Sequence, residues 1–384
     1  EWLVACGAAD AAPAVPAAES TLGSHPCVAL SSAQVLPEWT TSTPPHNNFS
    51  ANGDNPLNFV SHDRGSLQCA TRLRYAPTSS ALLILKHFWT HRTPRRDKTL
   101  PKTGPNMNAK QSIQLGQVEE TLLVPLYARA LESRRKRPIV DDPNAIEMVD
   151  SIDWDFQRFG QRWRVFSCAL RDAMFDVWTA DFIRSHPAGT VVEIGAGLNT
   201  RFERLDNGRV HWFDLDLPDA VELRRKFFAD TGRRTILAGS VLDSNWIDMV
   251  QQSPGPYFLV AETVFVYLEQ PHVKAALSQI MRSFPSACVA FDTVSRKAID
   301  NGNKDFVRRN MAVRFAWACD DPREIERWNI GLRLVESRTL VDVPDPLKPR
   351  LSVPMRITFG VFRRLFPKLA QAYQLNLFAG QPGA

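Results

Sequence analysis

Short apolar runs alternate with helical stretches through residues 190–291 of the chain. Most runs lack the polar alternation of half-exposed strands, which is typical of parallel strands buried on both faces. This succession of strand and helix predicts a doubly wound α/β sheet whose ligand binds at the carboxyl ends of the strands. The predicted strands are residues 190–194, 210–213, 235–238, 257–260 and 288–291, and the predicted helices between them are residues 220–229, 246–251 and 271–284.

Two longer helices are predicted before this alternation begins. Residues 115–137 are rich in Leu, Ala, Glu and Arg, and Pro138 stops the pattern. Residues 163–183 carry apolar side chains every three or four positions, so one face of this second helix is expected to pack against the core.

The first 106 residues have a different composition. They hold 11 of the 27 prolines and show no sustained helical or strand periodicity, which favours an extension of low order without an assignable function. The composition changes at Met107. We therefore predict two parts, an extension at residues 1–106 and a folded domain at residues 107–384.

Charge and cysteine content exclude several classes of function. Lys and Arg total 46 against 41 acids, and the net charge of +5 is spread along the 384 residues, so nucleic acid is not an expected partner. The six cysteines form no CxxC pair, which argues against zinc or any other metal site and favours a reducing, cytoplasmic location. No apolar run suggests a membrane span, so we expect no membrane partner.

The first strand leads into a glycine turn of the kind that binds nucleotide-like ligands. Gly195 and Gly197 allow a tight turn and a close approach of the backbone to a ligand. In dinucleotide enzymes a third glycine follows, where this chain has Thr200. The second strand ends with Asp214 and Asp216, and a carboxylate there can accept both hydroxyls of a ribose. One of the two acids can instead cap the next helix. We favour Asp216, which is nearer the end of the strand, with Asp214 as the second choice.

Two further strand ends supply candidate ligand contacts. Ser240 and Val241 follow the third strand and could flank a purine. Glu262 follows the fourth strand and is expected to face the centre of the cleft, since a buried acid without a partner would be costly. Asp243 could contact the same ligand or cap a helix.

Several separated segments resemble one family. The segments GAGLNTRFERLDNGRVHWFDLDLP, GSVLDSNW, AETVFVYLEQ, AFDTVSR and CDDPREIERWNIGLRLVESRTL resemble the leucine carboxyl methyltransferase superfamily, especially its branch of polyketide-synthesis O-methyltransferases. The resemblance spans about residues 110–380. It implies a class I methyltransferase with S-adenosylmethionine as methyl donor, a seven-stranded Rossmann-like core at about residues 187–384 and an N-terminal helical lid at about residues 110–186.

The resemblance also implies a role for individual residues. Gly195 and Gly197 would approach the methionine part of the donor, and Asp216 would hold its ribose. Arg171, in an Arg-x-x-x-x-Asp helix, would pair with the donor carboxylate, and Glu262 would lie near the donor ammonium or sulfonium group. Leucine carboxyl methyltransferases tend to have an acid where this chain has Ser240, so the adenine contact is less well defined.

The resemblance implies a small, polyketide-like acceptor that is methylated on oxygen. No histidine follows a strand at the predicted cleft, which favours a carboxylate over a phenol, because a phenol with a pKa of about 10 needs a general base. Tyr127, Arg129 and Arg314 are candidates for orienting an anionic acceptor. The alternatives are an NAD-dependent Rossmann oxidoreductase and an inactive methyltransferase-like binding module. The sequence does not indicate an oligomeric state.

Overall fold

A seven-stranded sheet lies at the centre of this computed structural model, which describes residues 117–159, 162–308 and 313–381. The first five strands are parallel, and the last strand runs antiparallel between its two neighbours. The strands are β1 Thr190–Ile194, β2 His211–Asp216, β3 Arg234–Ala238, β4 Tyr257–Ala261, β5 Cys288–Val294, β6 Leu332–Thr339 and β7 Tyr373–Gly380, in the order β3-β2-β1-β4-β5-β7-β6. The predicted doubly wound, seven-stranded sheet is confirmed.

Helices precede the sheet and connect its strands. They are α1 Gln117–Ser133, α2 Pro143–Ser151, α3 Arg162–Ser185, α4 Arg201–Leu205, α5 Pro218–Arg224, α6 Asn245–Val250, α7 Gln270–Ser283, α8 Arg296–Arg308, α9 Val353–Leu365 and α10 Pro367–Ala370. Helices α1 to α3 form the predicted helical segment ahead of the core. The predicted extension and its boundary at residue 107 lie outside the described residues.

Helix α1 ends four residues earlier than predicted, because a serine side chain takes over the backbone hydrogen bonding there. The hydroxyl of Ser133 donates to the carbonyl of Arg129 at 2.7 Å and accepts from the amide of Asp142 at 2.7 Å. Such local side-chain bonds compete with helix continuation. The predicted helix at residues 220–229 is likewise shorter and ends at Arg224.

The sheet core is apolar on the face covered by α6 and α7. Leu259 and Phe213 on the strands pack in one buried cluster with Leu277 and Ile280 of α7. Phe378 of β7 belongs to the same cluster, so the final strand is part of the core. Within the described residues, no helix combines the length and apolar composition needed to cross a bilayer.

Strand register decides which side chains meet at the carboxyl edge of the sheet. Ile194, the last residue of β1, lies beside Leu215 of β2 and Ala261 of β4. The next residues along these three strands are Gly195, Asp216 and Glu262, so they come level at one edge. The strand order reverses direction between β1 and β4, and ligands of open α/β sheets bind at such a switch point.

The carboxylate of Asp142 connects helices α1 and α2 to the loop that follows β1 through hydrogen bonds. Its carboxylate caps α2 by accepting from the amide of Ala145 at 2.9 Å. The same carboxylate accepts from Nε of Arg129 on α1 at 2.8 Å and from the hydroxyl of Thr200 at 2.5 Å. Thr200 therefore connects this loop to α2 at the place where dinucleotide enzymes have a glycine.

Replacing Asp142 by Ala is expected to destabilise the protein by about 3–5 kcal/mol, because it removes one of the two carboxylates that pair with the buried guanidinium of Arg129 and also the cap of α2. Asp150→Ala is the matched control on the same helix: Asp150 pairs with Arg134 in an exposed ion pair, and its loss should cost about 1 kcal/mol or less. Urea unfolding of both variants measures the difference. Equal losses would contradict the structural role of Asp142.

Candidate active site

A cleft with a volume of about 250 Å³ lies at the carboxyl edge of β1, β2 and β4. Its wall includes the loop after β1, the ends of the neighbouring strands and parts of α1 and α3. The predicted residues that line it are Arg129, Arg171, Gly195, Gly197, Asp216, Ser240, Val241 and Glu262. The structure therefore brings together residues that lie up to 133 positions apart in the sequence.

The loop after β1 needs both of its glycines. Gly195 has φ of 68° and Gly197 has φ of 46°, a left-handed region that residues with a Cβ rarely adopt. A Cβ added to Gly195 would lie 2.4 Å from Cγ2 of Val264. The amide of Gly197 donates to Oδ2 of Asp216 at 2.6 Å, which joins the loop to the end of β2.

Two buried arginines donate hydrogen bonds to the carbonyl groups of this loop. Arg129 of α1 donates through Nη2 to the carbonyl of Leu198 at 2.6 Å. Arg224 of α5 donates through Nη1 to the carbonyls of Gly197 at 2.9 Å and Asn199 at 2.8 Å. The loop conformation is thus fixed by charged side chains before any ligand binds.

The two predicted aspartates occupy different environments. Asp216 lines the cleft, and burial raises its pKa although the amides of Gly197 and Leu217 both donate to it. Asp214 lies behind the loop, fully buried and outside the cleft wall, where it pairs with Arg224 at 2.7 Å and accepts from the indole of Trp212 at 3.0 Å. Asp214 therefore acts on the loop through Arg224, and Asp216 is the acid placed to meet a ligand.

Arg171 and Glu262 form an ion pair in the cleft wall. Nε of Arg171 lies 2.6 Å from Oε1 of Glu262. The second oxygen of Glu262 lies 2.8 Å from Nη2 of Arg201. Opposite charges side by side match the carboxylate and ammonium groups of an amino acid.

Arg201, at the start of α4, is the centre of a larger buried ion network. It is fully buried and contacts four carboxylates that come from α3, β1 and the residue after β4. The distances are 2.8 Å to Asp172, 2.8 Å to Asp176, 2.5 Å to Glu193 and 2.8 Å to Glu262.

Known proteins with similar sequences were found by comparison. The family model for leucine carboxyl methyltransferase matches residues 123–281. The tetracenomycin polyketide synthesis O-methyltransferase TcmP of Streptomyces glaucescens is 31% identical over 267 residues, which cover 69% of this chain and 97% of that protein. The chain belongs to the leucine carboxyl methyltransferase family.

Two other similarities are more distant. The S-adenosyl-L-methionine-dependent methyltransferase dpfgK of Gibberella zeae is 26% identical over 250 residues, covering 59% of this chain and 84% of that protein. A solved structure of a DUF574 family protein from Streptomyces avermitilis is 13% identical with a TM-score of 0.44, covering 68% of this chain and 97% of that one.

Family membership confirms the predicted donor, S-adenosylmethionine, and removes the NAD-dependent alternative. The cleft of this methyltransferase fits that donor in three respects. The glycine loop leaves space that a Cβ would fill, Asp216 ends the neighbouring strand, and Arg171 lies beside Glu262. Among the described residues, no cluster of His, Cys, Asp or Glu is arranged to hold a metal ion.

Glu193 of β1 is a cleft residue that the sequence analysis missed. It lines the cleft with 3% of its surface exposed, and burial raises its pKa to about 8. The sequence did contain an indication of its importance, because Glu193 is the acidic residue within the apolar strand TVVEI.

Thr263 and Tyr267 are further cleft residues without a predicted role. Thr263 has φ of 56°, a left-handed conformation that Asp292 of β5 supports by accepting from the Thr263 amide at 2.9 Å and hydroxyl at 3.1 Å. The Tyr373 hydroxyl also donates to Asp292, whose pKa is raised by burial. The ring of Tyr267 lies 5.4 Å from that of Phe315.

The three acceptor-orienting candidates are not brought together. Tyr127 stacks on Phe156 with ring centroids 5.3 Å apart and does not line the cleft. Arg314 is exposed, also outside the cleft wall, and donates to the carbonyl of Val313. Arg129 does line the cleft, but its guanidinium binds Asp142 and the loop. Their roles toward an acceptor stay predictions.

The turn after β3 is closed by Asp243. Its Oδ2 accepts from the amide of Ser240 at 2.8 Å, and the amide of Asp243 donates to the carbonyl of Ser240 at 3.0 Å. Helix α6 begins after Ser244 without a side-chain cap. Of the two alternatives for Asp243, helix capping is therefore not observed, and the carboxylate instead shapes the turn that carries Ser240 and Val241.

Gly195→Ala should weaken donor binding and destabilise the methyltransferase, since the new Cβ collides with Val264 in a left-handed backbone conformation. Gly208→Ala is the matched control: Gly208 has φ of 78° and nothing within 4 Å of an added Cβ. The control should cost only the conformational strain, about 1–2 kcal/mol. We expect Val264→Ala, added to Gly195→Ala, to recover the steric part.

Urea unfolding measures the stability of these variants, and calorimetry measures donor affinity. Equal effects of the substitutions at Gly195 and Gly208, with no recovery in the double variant, would contradict close contact between the loop and Val264.

Proposed function

We propose that the protein is an O-methyltransferase that transfers a methyl group from S-adenosylmethionine to an oxygen of a small, polyketide-like acceptor, with a carboxylate as the favoured oxygen. The observation that carries this proposal is the convergence of the glycine loop, Asp216 and the Arg171–Glu262 pair at one strand edge. The relative TcmP, an O-methyltransferase of polyketide synthesis, supports the acceptor class.

Each donor-facing residue has a chemical role in this proposal. Asp216 accepts hydrogen bonds from the ribose hydroxyls, and Ser240 and Val241 flank the adenine. Arg171 meets the donor carboxylate, and Glu262 meets the ammonium group. The bound donor supplies an electrophilic methyl group, and the protein orients it toward the acceptor oxygen.

The favoured acceptor oxygen follows from the lack of a histidine base in the described part of the cleft wall. Among the described residues that line the cleft, none is histidine. His211 lies on β2, and His272 is exposed on α7. A carboxylate is already ionised at pH 7 and needs only to be positioned, and positioning can supply about 7–11 kcal/mol of barrier reduction.

Asp216→Ala and Arg171→Ala are each expected to weaken S-adenosylmethionine binding about tenfold or more, because each removes hydrogen bonds that involve a charged group. Asp219→Ala is the control, since Asp219 is an exposed acid in the first turn of α5. Calorimetry gives the affinities, and circular dichroism checks the fold. Unchanged affinity in both cleft variants would reject the assignment of these residues.

The chemistry of the acceptor is tested with a donor carrying a labelled methyl group. Incubation with polyketide carboxylic acids and phenols should yield a labelled product that mild base releases, because methyl esters hydrolyse readily and aryl methyl ethers do not. A base-stable product would reject the carboxylate. Donor binding without any labelled product across the panel would favour an inactive binding module.

A further inference from the structure

We propose that the buried carboxyl group of Glu193 determines the preference of this cleft for the cationic donor over its neutral thioether product, by releasing a proton when the cation binds. The inference rests on the proposed donor site. It goes beyond that proposal because it assigns the difference in affinity between donor and product to Glu193, which has no direct donor contact there.

Glu193 is held inside the wall of the cleft and is only half satisfied. Its Oε1 lies 2.5 Å from Nη1 of Arg201. Its Oε2 is buried and has no hydrogen-bonding partner within residues 117–159, 162–308 and 313–381. A buried carboxylate oxygen without a partner is unfavourable, so this side of the group favours a proton or a nearby positive charge.

The surrounding ion network contains more acids than bases. Within the described chain, a continuous set of ion pairs joins four arginines to five carboxylates, and Asp292 adds a sixth acid beside Arg171. The arginines are Arg129, Arg171, Arg201 and Arg204, and the five carboxylates are Asp142, Asp172, Asp176, Glu193 and Glu262. The network is therefore suited to a ligand that brings positive charge.

The groups that face Glu193 favour its protonated form. Burial raises the pKa of Glu193 to about 8, and the carboxylates of Asp214 on β2 and Asp172 on α3 act in the same direction. The guanidinium groups of Arg201 and Arg224 oppose this effect. Glu262, after β4, shares Arg201 with Glu193 and so competes for the same cation. Near neutral pH, Glu193 holds a proton in the empty cleft.

A charged ligand reverses this preference. The donor and the product differ by one methyl group and one positive charge. When the donor binds, Glu193 loses its proton to solvent and its carboxylate stabilises the sulfonium charge across the cleft wall. After transfer, a C–O bond has formed, the S–C bond has broken and its electron pair remains on sulfur. Glu193 then takes a proton from water, and the neutral product is held less tightly.

Calorimetry in buffers of different ionisation enthalpy tests proton release directly on the unsubstituted protein. At pH 7, S-adenosylmethionine should release up to one proton per site more than S-adenosylhomocysteine, because the amino group that both ligands share contributes equally to the two. Donor affinity should rise about tenfold between pH 6 and pH 7, because the unbound carboxyl titrates above this range. Product affinity should stay constant.

Glu193→Gln keeps the shape of the side chain but cannot ionise. The variant should release no additional proton with the donor, and its ratio of donor to product affinity should become independent of pH. Glu203→Gln is the matched control: Glu203 also has a buried oxygen without a hydrogen-bonding partner in the described chain, but it pairs with Arg234 away from the cleft. The control should behave as the native protein.

The outcomes separate this inference from the proposed donor site. Tight donor binding with equal proton release for donor and product would overturn the role of Glu193 and leave the donor site in place. A pH-dependent affinity ratio that persists in Glu193→Gln would overturn it as well. Failure of the native protein to bind either ligand would reject both the donor site and the inference.

Discussion

The positions of two acids in the cleft wall, Glu193 and Glu262, depend on one buried guanidinium, that of Arg201. It is inaccessible to solvent and contacts carboxylates from α3, β1 and the residue after β4. Removing one partner from a buried ion network leaves uncompensated charge, which is far more costly than losing a surface pair. The three elements therefore cannot shift independently, and Glu193 and Glu262 are fixed relative to the start of α4.

The same principle explains how a glycine turn can be rigid. Gly195 and Gly197 permit the conformation, but the carbonyl groups of the loop are held by Arg129 and Arg224. Each of these arginines is anchored by its own aspartate, Asp142 or Asp214. The glycines allow the left-handed backbone conformation, and the arginines of the buried ion pairs hold the loop in that conformation.

Much of the fold and of the cleft wall could be predicted because both follow from local pattern and strand register. Five apolar runs gave the five parallel strands within a few residues, and residues that follow parallel strands must meet at one edge. Strands β6 and β7 were not found in the pattern, since polar residues such as Arg333 and Gln374 interrupt their apolar positions.

The partners of the buried charges could not be predicted in the same way. Arg129 binds an acid 13 residues away and a carbonyl 69 residues away, and no spacing in the sequence indicates either contact. An arginine in a leucine-rich helix therefore looked suited to an anionic acceptor. Asp214 remained the second choice for a ligand contact because it lies on the same side of β2 as Asp216, and the packing of α5, which pairs Asp214 with Arg224, shows its different role.

The contact between Tyr373 and the cleft wall has a consequence for biosynthesis. The Tyr373 hydroxyl reaches Asp292 and lies 3.4 Å from both Arg171 and Thr263, yet Tyr373 begins the last strand of the described chain. Arg171 and Arg201, the two partners of Glu262, are therefore synthesised long before Tyr373, which contacts Arg171. Until β7 leaves the ribosome and inserts between β5 and β6, the nascent chain has the sheet edge but not the finished cleft.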